Sequence, residues 1–171
     1  MVAGIPGRLA PVSRVLRALA LLALAFTASG LGLGACGGDD DRKAKSDYVK
    51  QVNIAQSEFA ANVETVAERI TNKSSSSQDR KTLEQFQAAI DDVVTDLRAI
   101  EVPGDVESEH KQLVGAMSGF GAQIEEATLA LRNPDSGTIA EAQRTIQTAT
   151  QTVNVRIDAA IAAINSKLGQ K

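Results

Sequence analysis

Apolar residues recur at alternating spacings of three and four positions from Asp47 to the last residues of the chain. This spacing aligns them along one face of an α-helix, and it continues through four successive segments. Persistent alternation of apolar and polar residues, which would indicate strands, does not occur. The pattern therefore predicts an all-α fold with four helices. The seam, meaning the apolar face of each helix, consists of Val49, Val52, Phe59, Val63, Val66 and Ile70, then Leu83, Phe86, Ile90, Val93, Leu97 and Ile100, then Val106, His110, Leu113, Met117, Phe120, Ile124, Ala127 and Leu131, and finally Ile139, Ala142, Ile146, Ala149, Val153, Ile157, Ala160, Ile164 and Leu168.

Three polar breaks, at residues 72–79, 101–105 and 133–137, separate the four segments. Both prolines of this part of the chain lie in the breaks, where a missing backbone N–H does no harm. Connections this short make neighbouring helices antiparallel, so we expect an up-down-up-down four-helix bundle over residues 47–171. The residues expected to cap the helix N-termini are Asp47, Asp79 and Asp105, together with a capping box of Thr138 and Glu141.

Counting residues from the breaks places three phenylalanine rings at similar heights near the middle of the bundle. We therefore expect an aromatic layer in the core, packed against small and aliphatic residues of the fourth helix. The layer would consist of Phe59, Phe86 and Phe120, opposite Ile146 and Ala149.

Three features of the helices are open to two interpretations. Gln56 occupies a seam position, where a polar residue either fixes helix pairing or contacts a ligand. Gly115, Gly119 and Ala122 lie opposite the third seam. They form either an interaction stripe that lets a partner's backbone approach closely or an ordinary surface. The fourth helix has an uncharged polar face that either meets a partner or is solvated, formed by Thr145, Gln147, Thr148, Gln151, Thr152 and Asn154.

Residues 1–35 differ from the rest of the chain. Residues 1–17 are basic, and residues 18–28 form an apolar stretch of signal-peptide length. Leu33-Gly34-Ala35-Cys36 follows, and it resembles the bacterial lipobox, in which a leucine and two small residues precede an invariant cysteine. The resemblance covers residues 1–36. It implies a lipoprotein signal peptide, a diacylglyceryl thioether at Cys36, cleavage between Ala35 and Cys36, and a lipidated N-terminus with fatty acyl chains of the palmitate type.

Cys36 is the only cysteine, so the chain forms no internal disulfide and its compartment must be inferred from the N-terminal segment. The alternative to a cleaved lipoprotein signal is an uncleaved transmembrane helix over the uncharged residues 18–38. Three glycines in its second half weaken that helix. Both interpretations place the remaining chain outside the cytoplasm. We expect residues 36–46 to be the lipidated cysteine followed by a flexible acidic tether.

Charge and residue types exclude several function classes. Beyond Cys36 there are 15 basic and 21 acidic residues, a net charge of −6, which argues against binding nucleic acid. Glu107 and His110 have the E-x-x-H spacing of di-iron bundles, but those sites need the motif twice and His110 is the only histidine. Met117, seven residues further along the same helix, cannot join His110 in clamping a haem iron. We expect no metal, no cofactor and no enzymatic activity.

The chain as a whole resembles small helical lipoproteins of unknown role from actinobacterial-type bacteria. The lipobox and the stretch VPGDVESEHKQL (residues 102–113) carry this resemblance. It implies attachment to the cell membrane through lipid, facing outside the cytoplasm. We expect an envelope protein that acts through contacts with another envelope protein or with a second copy of itself. The alternative is an extracytoplasmic ligand-binding or sensor-like module, which would need a pocket between its helices.

Overall fold

Four α-helices make up the protein in the computed structural model, which describes residues 39–67, 76–132 and 136–169. No strand occurs in these three ranges, so the predicted all-α fold with four helices is confirmed. Among the helices described there, none combines the length and apolar character needed to cross a membrane. The elements are α1 (Asp39–Ala67), α2 (Ser76–Ala99), a 3₁₀ turn (Gly104–Val106), α3 (Glu107–Ala130) and α4 (Ser136–Lys167).

Helix α1 begins at Asp39, eight residues before the expected start at Asp47. The tether predicted for residues 36–46 is therefore helical from Asp39 onward, and Asp47 lies inside the helix rather than capping it. Acidic residues in a first turn interact favourably with the helix dipole, and the arginine, lysines and alanine that follow have good helix propensity. A run of charged residues is compatible with a solvated spacer and with the first turns of a helix, so the composition of this segment does not distinguish between the two. Residues 36–38 lie outside the described ranges.

Helices α2 and α4 also begin earlier than expected. Helix α2 begins at Ser76, which places Asp79 inside the helix instead of at its N-cap. Helix α4 begins at Ser136, two residues before Thr138, so the predicted capping box does not open it. Serine is as acceptable as aspartate or threonine at a helix start, so the residue types did not distinguish between neighbouring positions.

Asp105 takes a different role from the predicted one. It belongs to the 3₁₀ turn, and the residue that precedes α3 is Val106, which makes no side-chain capping hydrogen bond. The carboxylate of Asp105 is instead 2.6 Å from Lys45 Nζ of α1. An ion pair with a distant helix therefore replaces the expected local cap.

The predicted seam forms the core of the protein. All of its described side chains are less than a tenth exposed except Phe59, Leu131 and Leu168, which are partly exposed and pack against the others. The side chains of Val66, Ile70 and Ile139 lie outside the described set. The core also contains residues that the spacing of the seam omits: Tyr48, Ala55, Thr82, Ala89, Val94, Ala116, Thr128, Thr150 and Ile161.

The predicted aromatic layer is confirmed. Phe86 is completely buried, and its ring centroid lies 6.4 Å from that of Phe59 and 5.8 Å from that of Phe120. The Phe86–Phe120 pair is edge to face, an arrangement that aromatic quadrupoles favour. Ile146 and Ala149 of α4 are buried in the same core.

The helices meet at one end through polar contacts. Tyr48 near the start of α1 contacts His110 near the start of α3, and His110 also contacts Leu97 near the end of α2. Glu109 of α3 contacts Lys167, the last residue of α4. These contacts agree with the expected up-down-up-down order, which stays a prediction. We call this the proximal end of the bundle, because α1 starts here three residues after Cys36.

Among the described glycines, Gly121 is the one that is buried, and it marks a close approach of α2 and α3. A Cβ atom on Gly121 would lie 3.1 Å from Cγ2 of Ile90, which is completely buried. A Cβ atom on Gly115 or Gly119 would have no neighbouring atom within 4 Å. Gly115 and Ala122 are exposed and Gly119 is half-buried, so the predicted stripe lies on the surface and its interaction role stays a prediction.

Alanine substitutions at these glycines should separate packing from helix propensity. We expect Gly115→Ala and Gly119→Ala to raise the free energy of unfolding by about 0.5–1 kcal/mol, because alanine is the better helix former and nothing obstructs its methyl group. Gly121→Ala should be at least about 1 kcal/mol less stable than Gly115→Ala, because its methyl group presses on Ile90. Urea unfolding followed by circular dichroism measures all three, and equal effects would contradict the close approach at Gly121.

Candidate functional site

A buried histidine and a buried tyrosine join three helices at the proximal end. His110 is 5% exposed and Tyr48 is completely buried. The Tyr48 hydroxyl oxygen lies 3.1 Å from His110 Nδ1, and His110 Nε2 lies 2.9 Å from the carbonyl oxygen of Leu97. The two rings meet edge to face with centroids 5.6 Å apart. One imidazole thus connects α1, α2 and α3.

The hydrogen-bond partners fix the tautomer of His110. A carbonyl oxygen only accepts, so Nε2 carries the proton and donates it to Leu97. In the neutral ring Nδ1 is then an acceptor, and the Tyr48 hydroxyl donates to it. Both ring nitrogens and the hydroxyl hydrogen are therefore satisfied in a buried place, where an unpaired polar group would be costly.

Two ion pairs surround this buried contact. Lys45 Nζ lies 2.6 Å from Asp105 Oδ2, and Lys167 Nζ lies 2.8 Å from Glu109 Oε2. Lys45, Asp105 and Lys167 are at least a third exposed, and such pairs contribute only about 0–1 kcal/mol to stability. Their main effect is to connect α1 to the turn before α3, and α4 to α3. We call the six residues the proximal cluster: Lys45, Tyr48, Asp105, Glu109, His110 and Lys167.

Burial and pairing set the charge states of the cluster. Burial lowers the pKa of His110 below its ordinary 6.5, and the hydrogen bond to Leu97 only partly opposes this shift. Burial, assisted by the Glu109 carboxylate, raises the pKa of Tyr48 to about 12. Hydrogen bonds from Lys45 and Lys167 lower the pKa of Asp105 and of Glu109 respectively. At neutral pH the buried pair is therefore uncharged and the two carboxylates are ionised.

The E-x-x-H spacing does not bring its two ends together. Glu107 is exposed and pairs with Lys111, whereas His110 is buried and uses both nitrogens in hydrogen bonds. Across the described ranges, no three His, Cys, Asp or Glu side chains are grouped so as to hold a metal ion. A metal ion at His110 would have to displace Tyr48 or the Leu97 carbonyl.

A surface groove between α1 and α2 is the other concave feature of interest. It has a volume of about 240 Å³ and opens to solvent. Three apolar residues, including one ring of the aromatic layer, line it together with three carboxylates, and none of its described lining residues is basic. We call it the α1–α2 groove, and its lining residues are Glu58, Phe59, Asn62, Ala89, Asp92, Val93, Thr95 and Asp96.

The other predicted site residues lie apart from these two features. The lipidation and cleavage residues, Cys36 and Ala35, are outside the described ranges. Gln56 is half-buried in α1, so either interpretation of it stands. On the polar face of α4, three of the six residues are exposed and three are half-buried, and the buried side-chain oxygen of Asn154 has no hydrogen-bond partner among the described residues.

Residue spacing missed the central contact of the proximal cluster. Tyr48 lies one position before a seam residue, and its partner is 62 residues away along the chain. One sequence signal was available. Tyr48 and His110 are the only tyrosine and the only histidine in the chain, and each lies at or next to a seam position.

Comparison with known proteins gives no relative for this chain. No protein-family model matches it, and no match is found among curated proteins or among solved structures.

Proposed function

We propose that the chain is a lipid-anchored protein of the cell envelope, facing outside the cytoplasm, and that its helical domain acts by binding another protein. The observation that carries this proposal is the order of three segments in the N-terminal sequence. A basic segment, an apolar stretch and Leu33-Gly34-Ala35-Cys36 follow one another as lipoprotein processing requires. The helical domain begins only three residues after Cys36.

Lipid attachment through Cys36 would be sufficient to hold the domain at a membrane. Each buried methylene group contributes about 0.8 kcal/mol, and a single acyl chain gives only marginal binding. A diacylglyceryl group brings two chains, which makes anchoring stable. Such a protein needs no membrane-spanning helix in its folded domain.

The α1–α2 groove supports binding of a basic protein segment. Its three carboxylates suit lysine or arginine, and the apolar residues Phe59, Ala89 and Val93 in its lining suit the aliphatic part of such a side chain. The net charge of −6 beyond Cys36 favours the same kind of partner. We therefore assign the contact to a basic segment of another envelope protein.

The dimensions of the groove favour this contact over a small-molecule site. Small-molecule pockets typically have volumes of roughly 300–1,000 Å³ and enclose most of the ligand. The α1–α2 groove has about 240 Å³ and is open to solvent. We accordingly prefer a protein-binding domain to the ligand-binding or sensor-like module.

One variant tests the anchor. Cys36→Ser should abolish acylation and leave an unprocessed precursor that is longer by the 35-residue signal peptide, because the thioether forms on that sulfur. Intact-mass spectrometry of the membrane fraction measures both changes, and Ser29→Ala, upstream of the lipobox, serves as the control that is still processed. Identical, unlipidated masses for the wild-type and Cys36→Ser chains would refute the anchor.

Site-specific cross-linking in intact cells tests the binding surface. A photoreactive residue at position 92 in the groove should give a discrete cross-linked product to a lysine- or arginine-rich segment. The same residue at Val155, which is 70% exposed on α4, should not. Combining Glu58→Lys with Asp96→Lys should remove the product while the helix content is unchanged. Equal products from positions 92 and 155, or no effect of the charge reversal, would refute binding in the groove.

A further inference from the structure

We propose that the buried contact between His110 and Tyr48 is a proton-sensitive latch on α1. While the imidazole is neutral, it holds the N-terminal half of α1 (residues 40–52) against α2 and α3. When the imidazole takes up a second proton, this half of α1 detaches and the rest of the bundle stays folded. This role requires neither the lipid anchor nor the α1–α2 groove.

The second proton affects one side of the ring only. Nδ1 would become a donor, so the Tyr48 hydroxyl would have to turn and accept from it. The hydroxyl hydrogen would then need a new acceptor, although Tyr48 has no exposed surface through which water could supply one. The contact with Leu97 would be unchanged, because Nε2 donates in both states. Protonation therefore weakens the connection to α1 and keeps the connection to α2.

Burial of the new charge adds to this cost. His110 is 5% exposed, and a buried cation without a paired anion is unfavourable. The two carboxylates of the proximal cluster are already engaged by lysines on the surface. Nothing that contacts the imidazole directly offers it a negative charge, since its partners are a hydroxyl group and a backbone carbonyl.

Within the proximal cluster, His110 is the group that changes charge between pH 5 and pH 7. Ion pairing lowers the pKa of Asp105 and of Glu109, so both carboxylates stay ionised in this range. Burial raises the pKa of Tyr48 to about 12, so it stays protonated. The titratable and charged groups at this end are Asp41, Lys45, Asp47 and Tyr48 on α1, Arg98 on α2, Asp105 in the 3₁₀ turn, Glu107, Glu109 and Lys111 on α3, and Lys167 on α4. On α2 the Leu97 carbonyl contacts the imidazole, whereas Arg98 hydrogen-bonds to Ser118.

Besides Tyr48, the proximal part of α1 is held by the buried side chains of Val49 and Val52 and by one ion pair. Helix α1 packs mainly on α2, whereas α3 and α4 pack on each other more closely than any other pair of described helices. Its ion pair between Lys45 and Asp105 is solvent-exposed and weak. Because burial lowers the pKa of His110, the latch holds fully above pH 6.5 and weakens as the pH falls from 6.5 toward the lowered value.

Hydrogen exchange on the full chain in detergent tests the latch. After correction for intrinsic exchange, amides of residues 40–52 should lose about tenfold in protection between pH 7.5 and pH 5.0, and those of α2 and α3 should keep theirs. The control is His110→Gln, whose amide can donate to Leu97 and accept from Tyr48 without titrating. Its protection over residues 40–52 should be the same at both pH values.

If His110→Gln does not fold, the wild-type chain alone still tests whether protonation of His110 releases α1. His110 is the only histidine, Tyr48 is the only tyrosine, and tryptophan is absent, so the imidazole NMR signal and the tyrosine fluorescence each report one residue. Both should change with one common midpoint below pH 6.5. Unchanged protection of residues 40–52 once His110 has titrated would overturn the latch. So would equal loss over all four helices, or the same loss in His110→Gln.

Discussion

Phe86→Ala should lower the free energy of unfolding by about 3–5 kcal/mol. The ring of Phe86 is completely buried between Phe59 and Phe120, so truncation removes two aromatic contacts and leaves a cavity at the centre of the bundle. Close-packed cores relax only partly around such a cavity. Because Phe86 touches both partners, its loss should also cost more than the loss of the partly exposed Phe59.

Urea unfolding at neutral pH, followed by circular dichroism, measures this effect. Val155→Ala is the matched control for truncation of a helical side chain, since Val155 is 70% exposed and surface changes of this kind fall within about 0.5 kcal/mol. A loss below about 1 kcal/mol for Phe86→Ala would mean that the aromatic layer does not organise the core.

His110→Ala should cost about 3–5 kcal/mol at pH 7.5. The substitution leaves the Tyr48 hydroxyl without its partner, and a buried unsatisfied group costs about 1–3 kcal/mol. The Leu97 carbonyl loses the imidazole but still accepts from the backbone N–H of Ile100. The missing ring adds a cavity among three helices. This cost arises while the imidazole is neutral, so it is separate from the effect of protonation.

Tyr48→Phe provides the graded comparison. It keeps the ring in place and removes only the hydroxyl that donates to His110 Nδ1, so its cost should be about 1–2 kcal/mol. Denaturant unfolding at pH 7.5 gives both values. If His110→Ala cost no more than Tyr48→Phe, the imidazole would not be the group that joins α1, α2 and α3.

The periodic part of the fold could be read from the sequence. Seam positions such as Phe86, Ile90 and Leu97 are buried as predicted. Apolar residues repeating every three or four positions form one face of a helix, and that face is removed from water when it packs against the other helices. The aromatic layer followed from the same periodicity and from the positions of the breaks. The buried seam and the aromatic layer could both be predicted because they depend on the spacing of residues along the chain.

Features that depend on distant residues could not be read in this way. The partner of Tyr48 lies 62 residues along the chain, and Asp105 was assigned to a local cap although it pairs with Lys45. The spacing of Gly115 and Gly119 predicts a stripe that a partner could approach, whereas Gly121 is the glycine against which another helix packs. Each outcome depends on the relative rotation of two helices, and neither helix encodes that rotation by itself.

The early start of α1 has a mechanical consequence for a chain anchored at Cys36. Three residue steps separate Cys36 from Asp39, and they span at most about 10 Å. From Asp39 to Phe59 the helix adds about 30 Å, at 1.5 Å per residue. If Cys36 carries the proposed lipid, the groove lies within about 40 Å of the lipid attachment point, because most of the intervening chain is helical. The proposed partner would then have to present its basic segment inside that radius, so the length of α1 would set an upper limit on the distance between this contact and the membrane.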